Sequence, residues 1–480
     1  MASKKTVTLD NLAALGAERL AAILFELADS DAEIRRRLRL ELAAQTGTDT
    51  VAIEIGKRLA ALRSARSFVD WQQRRDLVKD LDLQRTMIVD RVAPARADLA
   101  LDLMWRFMDL ANPVLNRVDD SNGSVGDVFR TACQDLGAIA AKAKPDPVNL
   151  ADRVFAAVQA NDFGIFDGLV TVMLPALGKA GAGHLTERLT KVLRDRSAKV
   201  GDRDHQALVA RLALQALADG QCDVDAYIAL VPPEERRLPF EAAAIGHRLL
   251  AVGRAAEALA VLEQAKPKRR TAGAARDDDE LYVIGHSADG EWEETYIEAL
   301  EATGKKDEAQ RLRWTAFEER LSVEQLRAYL NRLPDFDDVD AEERAMKHAL
   351  GFSSFAAALG FFVEWPNQEQ AARLVLERTS EINGNLYYLL DPAAQSIESK
   401  HPLAATLLRR AMIEDTLKGA KSTRYKHAVR HLLECQSLAA GIRDFAGFET
   451  HEAFVSRLRT QHGRKSGFWG QVSEATGGRR

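Results

Sequence analysis

Aromatic residues make up only 6% of this 480-residue chain, and β-branched residues are sparse beside alanine, leucine, arginine, glutamate and aspartate. A composition short of strand-favouring side chains and rich in helix-favouring ones excludes an all-β fold and points to helix throughout. Cysteine is scarcer still: Cys133, Cys222 and Cys435 stand far apart, with no C-x-x-C pair. Disulfide frameworks and thiolate metal centres both need clusters, so neither is expected, and isolated thiols suit a reducing cytosol. Long apolar runs are missing as well. The longest uncharged stretch, His348 to Val363, falls short of the roughly 18–20 residues a membrane span needs and reads as a buried helix. Met1 to Asp10 carries Lys4 and Lys5 with no apolar run behind them, unlike a secretory leader, which predicts a cytoplasmic protein. A net charge of −5 gives no overall field for nucleic acid or an anionic membrane. Neither a G-x-x-x-x-G-K-S/T phosphate loop nor a G-x-G-x-x-G turn occurs, so no nucleotide cofactor is expected.

What the chain does contain is helical periodicity. Leu12, Leu15, Leu20, Ile23, Leu24 and Leu27 recur at three- and four-residue spacing, which puts them on one helix face. Ser30-Asp31-Ala32-Glu33 has the form of a capping box opening a second helix through Ile34, Leu38 and Leu42. Amphipathic segments follow at Val51–Leu62, Phe68–Val92, Asp98–Leu110 and Val125–Ala143. Lys144-Pro145-Asp146-Pro147 and Pro232-Pro233 forbid helix continuation. At this length more than one core is expected. The division predicted is an N-terminal hairpin domain (1–144), central helical repeats (145–265), a charged inserted loop (266–290) and a C-terminal helical domain (291–480).

One internal repeat is clear. Leu249 to Ala258 is echoed by Leu300 to Ala309, both with Gly-x-x-x-Glu-Ala, the glycines Gly253 and Gly304 being 51 residues apart. In the first copy Gly246, Leu249, Ala258, Leu262 and Ala265 fall at tetratricopeptide spacings; in the second, Arg313 stands where Leu262 should recur. Small residues at a crossing let two helices approach, and the glycine ends the first helix in the left-handed region. The fold predicted is therefore all-α, an α-solenoid of antiparallel hairpins of the tetratricopeptide or HEAT kind, in two or three subdomains.

Asp119-Asp120-Ser121-Asn122-Gly123, with Val125 to Leu136 and Pro145-Asp146-Pro147 behind it, resembles the helical region that follows the SWIM zinc finger in some bacterial proteins. Ile297-Glu298-Ala299-Leu300, Leu333 to Asp338, Pro402 to Leu408, Arg424 to Ala428 and Gly467-Phe468-Trp469 resemble an uncharacterised bacterial family of all-helical proteins. The resemblance covers most of the chain and implies no known activity. The finger's C-x-C and C-x-H elements are absent, so its zinc-dependent role is not implied.

Catalytic candidates are few. Leu281 to Gly290 sets an apolar run before Gly285-His286-Ser287, like the nucleophile elbow of an α/β-hydrolase, but Asp289 replaces the closing glycine and no parallel strands surround it. His427, His431 and Cys435 lie four apart on one predicted helix, where adjacent members could share a metal ion; no H-E-x-x-H glutamate accompanies them. Asp335 to Asp340 and Asp119 to Gly123 lack the ligand spacing of a calcium loop and read as turns feeding helix N-termini. No catalytic, cofactor-binding or metal-binding residue is therefore assigned.

The C-terminal segment differs in charge, with fourteen Lys/Arg against seven Asp/Glu from His401 to Arg480. Arg424, Lys426, Arg430, Arg457, Arg459, Arg464 and Lys465 are candidate contacts for a partner or for a nucleic-acid backbone, with Phe468 and Trp469 nearby. Taken together, the sequence predicts a non-enzymatic helical scaffold for a protein or peptide partner. Nucleic-acid association through the basic segment is the alternative, and a hydrolase using Ser287 the remote one.

Overall fold

Where each helix starts and stops follows from short-range chemistry. The computed structural model describes residues 6–197, 205–267 and 288–477. The chain is all-α: among the described residues there is no strand, and an isolated parallel bridge joins Val69 to Val118. It divides into two compact units, Met1–Arg236 and Arg237–Arg480.

The first unit opens with α1 (Leu9–Ala13), α2 (Ala17–Ser30) and α3 (Ala32–Thr46). The expected Ser30 cap shifts by one residue. Ser30 remains in α2 and donates to the Leu27 carbonyl at 3.0 Å, while Asp31 accepts from the Ile34 N–H at 3.3 Å. Aspartate caps as well as serine does, so α2 extends without losing the α3 cap. Next come α4 (Thr48–Ser64) and α5 (Arg74–Met87), the latter running into a π-helical turn at Ile88–Val92. The segment predicted helical from Phe68 becomes helix only at Arg74, because Val69 pairs with the backbone of Arg117 and Asp119 and Trp71–Gln73 form a turn. Beyond lie α6 (Ala97–Met108), α7 (Ala111–Leu115), α8 (Ser124–Ala143), α9 (Pro147–Gln159), α10 (Leu169–Ser197), α11 (His205–Gly220) and α12 (Val224–Leu230). The acidic turn before α8 is a cap, as its sequence implies: both Asp120 carboxylate oxygens accept backbone N–H bonds at 2.9 Å, from Val125 and Gly126. The core gathers Leu81, Ile88, Met104, Phe107 and Phe129, the two rings 5.3 Å apart.

The second unit holds α13 (Pro239–Ala251), α14 (Ala255–Gln264), α15 (Ala288–Ala302) and α16 (Lys306–Arg320), so each repeat copy is one hairpin. Their turns match bond for bond. Gly253 and Gly304 have φ of +78° and +82°, and Arg254 and Lys305 donate to the carbonyls of Leu249 and Leu300, both at 2.8 Å. Only glycine takes that backbone without strain. Gly246 lets α13 close on its neighbours; a Cβ there would meet Leu262 at 3.0 Å and Thr295 at 3.1 Å. The unit continues through α17 (Val323–Leu330), α18 (Asp337–Leu350), α19 (Phe355–Glu364), α20 (Gln368–Glu377), α21 (Tyr387–Ile397), α22 (Pro402–Lys418), α23 (Tyr425–Ala439), α24 (His451–His462) and α25 (Ser466–Gly477). The uncharged stretch from His348 is two helical pieces, not one: Gly351 closes α18 and Ser354 caps α19, accepting from the Ala357 N–H. Among the described residues no helix is long and apolar enough to cross a membrane. Most of the charged loop, with Ser287, lies outside the described residues.

Candidate functional site

The histidine–cysteine row of α23 splits on folding. His427 is exposed, whereas His431 and Cys435 turn inward under α22. Burial pushes the Cys435 thiol up to about 12 and the Cys133 thiol up to about 11, so neither is a ready nucleophile. The groups gathered at His431 are carboxylates from α21 and α23. Its Nδ1 lies 3.0 Å from Glu434 and 3.9 Å from Asp391, and one donor atom from each of the three falls within 4.8 Å of the others. That donor set has the chemistry of a divalent cation site, yet guanidinium groups already supply its positive charge. Arg409, almost fully buried, donates to Glu434 at 2.8 Å and also reaches Glu398; Arg430 donates to Asp391 at 2.8 Å. A dication would face two fixed arginines, so the donor set fits an ion-pair network better than a metal.

The candidate basic contacts do not form one open row. Arg430 is held as described, and Arg457 is clamped by Glu449 at 2.8 Å and Glu414 at 2.6 Å, which raises its pKa. Arg424 lies over the Tyr387 ring at 4.7 Å and donates to Asn385, and Arg459 lies over Trp469 at 4.7 Å. Lys426 and Arg464 are exposed and Lys465 is half-buried. Phe468 is buried against Tyr425, and Trp469 donates to the His462 carbonyl at 3.0 Å, so these aromatics fasten α25.

Three neighbouring clefts of this unit open instead around α18. Phe336, at φ +77° and 84% exposed, turns the chain into the helix, and Asp337, Asp338 and Asp340 sit in its first turn, at the positive end of the dipole. Three clefts of about 710, 710 and 510 Å³ adjoin along this helix. The first, beside the end of α17, shares Glu343 and Lys347 with the second, which faces α20. The second shares Glu342 and Asn367 with the third, which reaches Lys400 and His401. Trp365 walls the third cleft and donates to Glu342 at 2.9 Å. Among the charged side chains of the lining, carboxylates outnumber the cations: Asp337, Asp340, Glu342, Glu343, Glu369 and Glu377 stand against Arg344, Lys347, Arg373 and Lys400, with Arg373 paired to Glu377 at 2.7 Å. The acidic run at Asp335–Asp340 marks one edge in the sequence, but Trp365 and Asn367 carry no signal until α20 packs beside α18.

No curated protein matches the chain. A family assignment, by contrast, spans nearly all of it: the protein belongs to a family of unknown function (DUF6880), matched over residues 2–471.

Proposed function

We propose that this protein is a non-enzymatic, cytoplasmic interaction scaffold, an array of helical hairpins that takes an extended basic segment of a partner protein along α18. What carries the reading is the continuity of the three clefts: shared walls at Glu343/Lys347 and Glu342/Asn367 make one track, whose charged lining has six carboxylates against four Lys/Arg. Extended peptides bind such tracks by spreading many modest contacts, and acidic walls select lysine and arginine.

Selection of displayed peptides on the intact protein, followed by fluorescence anisotropy of those enriched, tests it. Lys/Arg-rich sequences should be enriched, and Glu342→Lys with Glu343→Lys should weaken them more than about tenfold. Enrichment of no basic sequence, or binding indifferent to these substitutions, overturns the reading. Two further arms address the alternatives. Single-stranded oligonucleotide binding that falls steeply with salt and depends on Lys426, Arg464 and Lys465 favours nucleic acid. A fluorophosphonate adduct on Ser287 overturns the non-enzymatic part.

A further inference from the structure

We infer that two copies of this chain pair through the α2–α3 hairpin to form an antiparallel four-helix bundle. Helix α3 is apolar on two sides. Leu40 and Ala43 are buried on the core side, while Ile34 and Leu38 are half-buried on the other and Leu42 remains 62% exposed. Its neighbour α2 buries only Ala28, leaving Leu24, Phe25 and Leu27 exposed, and α1 with the turn after it adds Leu9, Leu12 and Leu15. These side chains present an apolar area of several hundred Å² per copy, more than scattered surface leucines explain. Two copies together approach the roughly 1,000 Å² of total burial that a specific interface needs.

Charge names the occupant. Helix α2 carries Glu18, Glu26 and Asp29 against Arg19, a net of −2; α3 carries Arg35, Arg36, Arg37 and Arg39 against Glu33 and Glu41, a net of +2. Arg35 is paired with Asp29, and Arg36 and Glu41 lean on Asp80 and Arg91, so the exposed charges that remain are Glu18, Arg19 and Glu26 on one helix, a net of −1, and Arg37 and Arg39 on the other, a net of +2, with Arg37 at the edge of a cleft that also holds Asp82 and Asp90. A hairpin acidic along one helix and basic along the other is complementary to itself when turned by a two-fold axis, each α2 meeting the second copy's α3. With 14 and 15 residues the helices match in length, as a closed bundle requires.

Sedimentation velocity on the full chain over about a hundredfold concentration range tests the pairing. The expected result is a species of twice 53.0 kDa that dissociates on dilution. Leu24→Glu with Leu42→Glu, both at exposed sites, should give monomer with an unchanged circular dichroism spectrum. Arg37→Glu with Arg39→Glu should also give monomer, as should Glu18→Arg with Glu26→Arg, and mixing the two charge variants should restore a dimer. A monomer at every concentration, or a dimer indifferent to these substitutions, overturns the inference. So does a monomer that binds phosphatidylserine vesicles through Arg37 and Arg39, which would make the hairpin a lipid-facing surface. The pairing stands apart from the α18 reading: Glu342→Lys with Glu343→Lys should leave it unchanged.

Discussion

Arg313 of α16 and Glu301 of α15 form a 2.9 Å ion pair at the two positions that Leu262 and Leu250 hold in the first repeat copy. Arg313 is 3% exposed, and Glu301 also holds Arg332 at 2.6 Å. Burial pushes the Glu301 carboxyl up, but hydrogen bonds from the two arginines more than reverse this and leave it below the usual carboxylate range. The second copy thus keeps the hairpin while exchanging two apolar residues for a charged pair. Removing one partner strands a buried charge, so Glu301→Leu should cost about 3–5 kcal/mol and Arg313→Leu a cost of the same sign, whereas the double change Arg313→Leu with Glu301→Leu should lie within about 1 kcal/mol of the natural protein. Urea unfolding of the two single variants and the double one, read as a cycle, measures this. Additive losses would show that the pair contributes nothing as a pair.

Glycine at two helix positions should respond oppositely to alanine. A Cβ on Gly137 of α8 would lie 2.6 Å from the Val172 carbonyl oxygen of α10, which backbone cannot give way to cheaply. Gly137→Ala should therefore destabilise by about 1–3 kcal/mol. Gly183 of α10 has open space around it, so Gly183→Ala should stabilise by about 0.5–1 kcal/mol through helix propensity. Thermal unfolding midpoints moving the same way in both would contradict the close α8–α10 crossing.

Features set by the chain's own neighbours were legible in the sequence, and those set by packing were not. Gly253, Gly304 and Asp120 announce their turns because a left-handed backbone or a cap is decided within a few residues. The α3 cap falls at Asp31, one residue beyond the Ser30 that the pattern predicts, because two adjacent residues can both do the task. Spacing places His427 and His431 on one helix face, but not that neighbouring helices cover only the second. Likewise Arg430 and Arg457 read as free cations until Asp391, Glu449 and Glu414 arrive from other helices and turns. The α18 clefts exist only once α17, α20 and the start of α22 surround that helix.

The three thiols should separate sharply by reactivity. Cys222 is exposed, while Cys133 and Cys435 are buried with thiols raised to about 11 and 12. Native protein treated with iodoacetamide near neutral pH should take one label, on Cys222, and unfolded protein three. Mass spectrometry of the labelled peptides reads this directly. Rapid native labelling of Cys435 would mean that the α22–α23 contact opens on the timescale of the reaction.

Acid should loosen the C-terminal helices before it reaches the carboxylate pairs. Burial lowers the pKa of His431 against the opposing pull of Glu434 and Asp391; burial together with Arg410 lowers His451, and burial with Lys465 lowers His462. Each group takes up a proton more readily unfolded, where its value is near 6.5, than folded. The stability gained by keeping them neutral is therefore complete above that value and is lost as pH falls through the folded pKa. The limiting slope is about 1.4 kcal/mol per pH unit for each proton taken up. The carboxylates of Glu301, Glu381 and Glu449, held below their usual range, add their losses only at lower pH. Unfolding midpoints should therefore drop between about pH 7 and 5.5, and His431→Gln should flatten part of that drop while leaving the decline below about pH 4.5 in place. A midpoint constant from pH 7 to 5.5 in the natural protein would mean that none of these rings stays neutral in the fold.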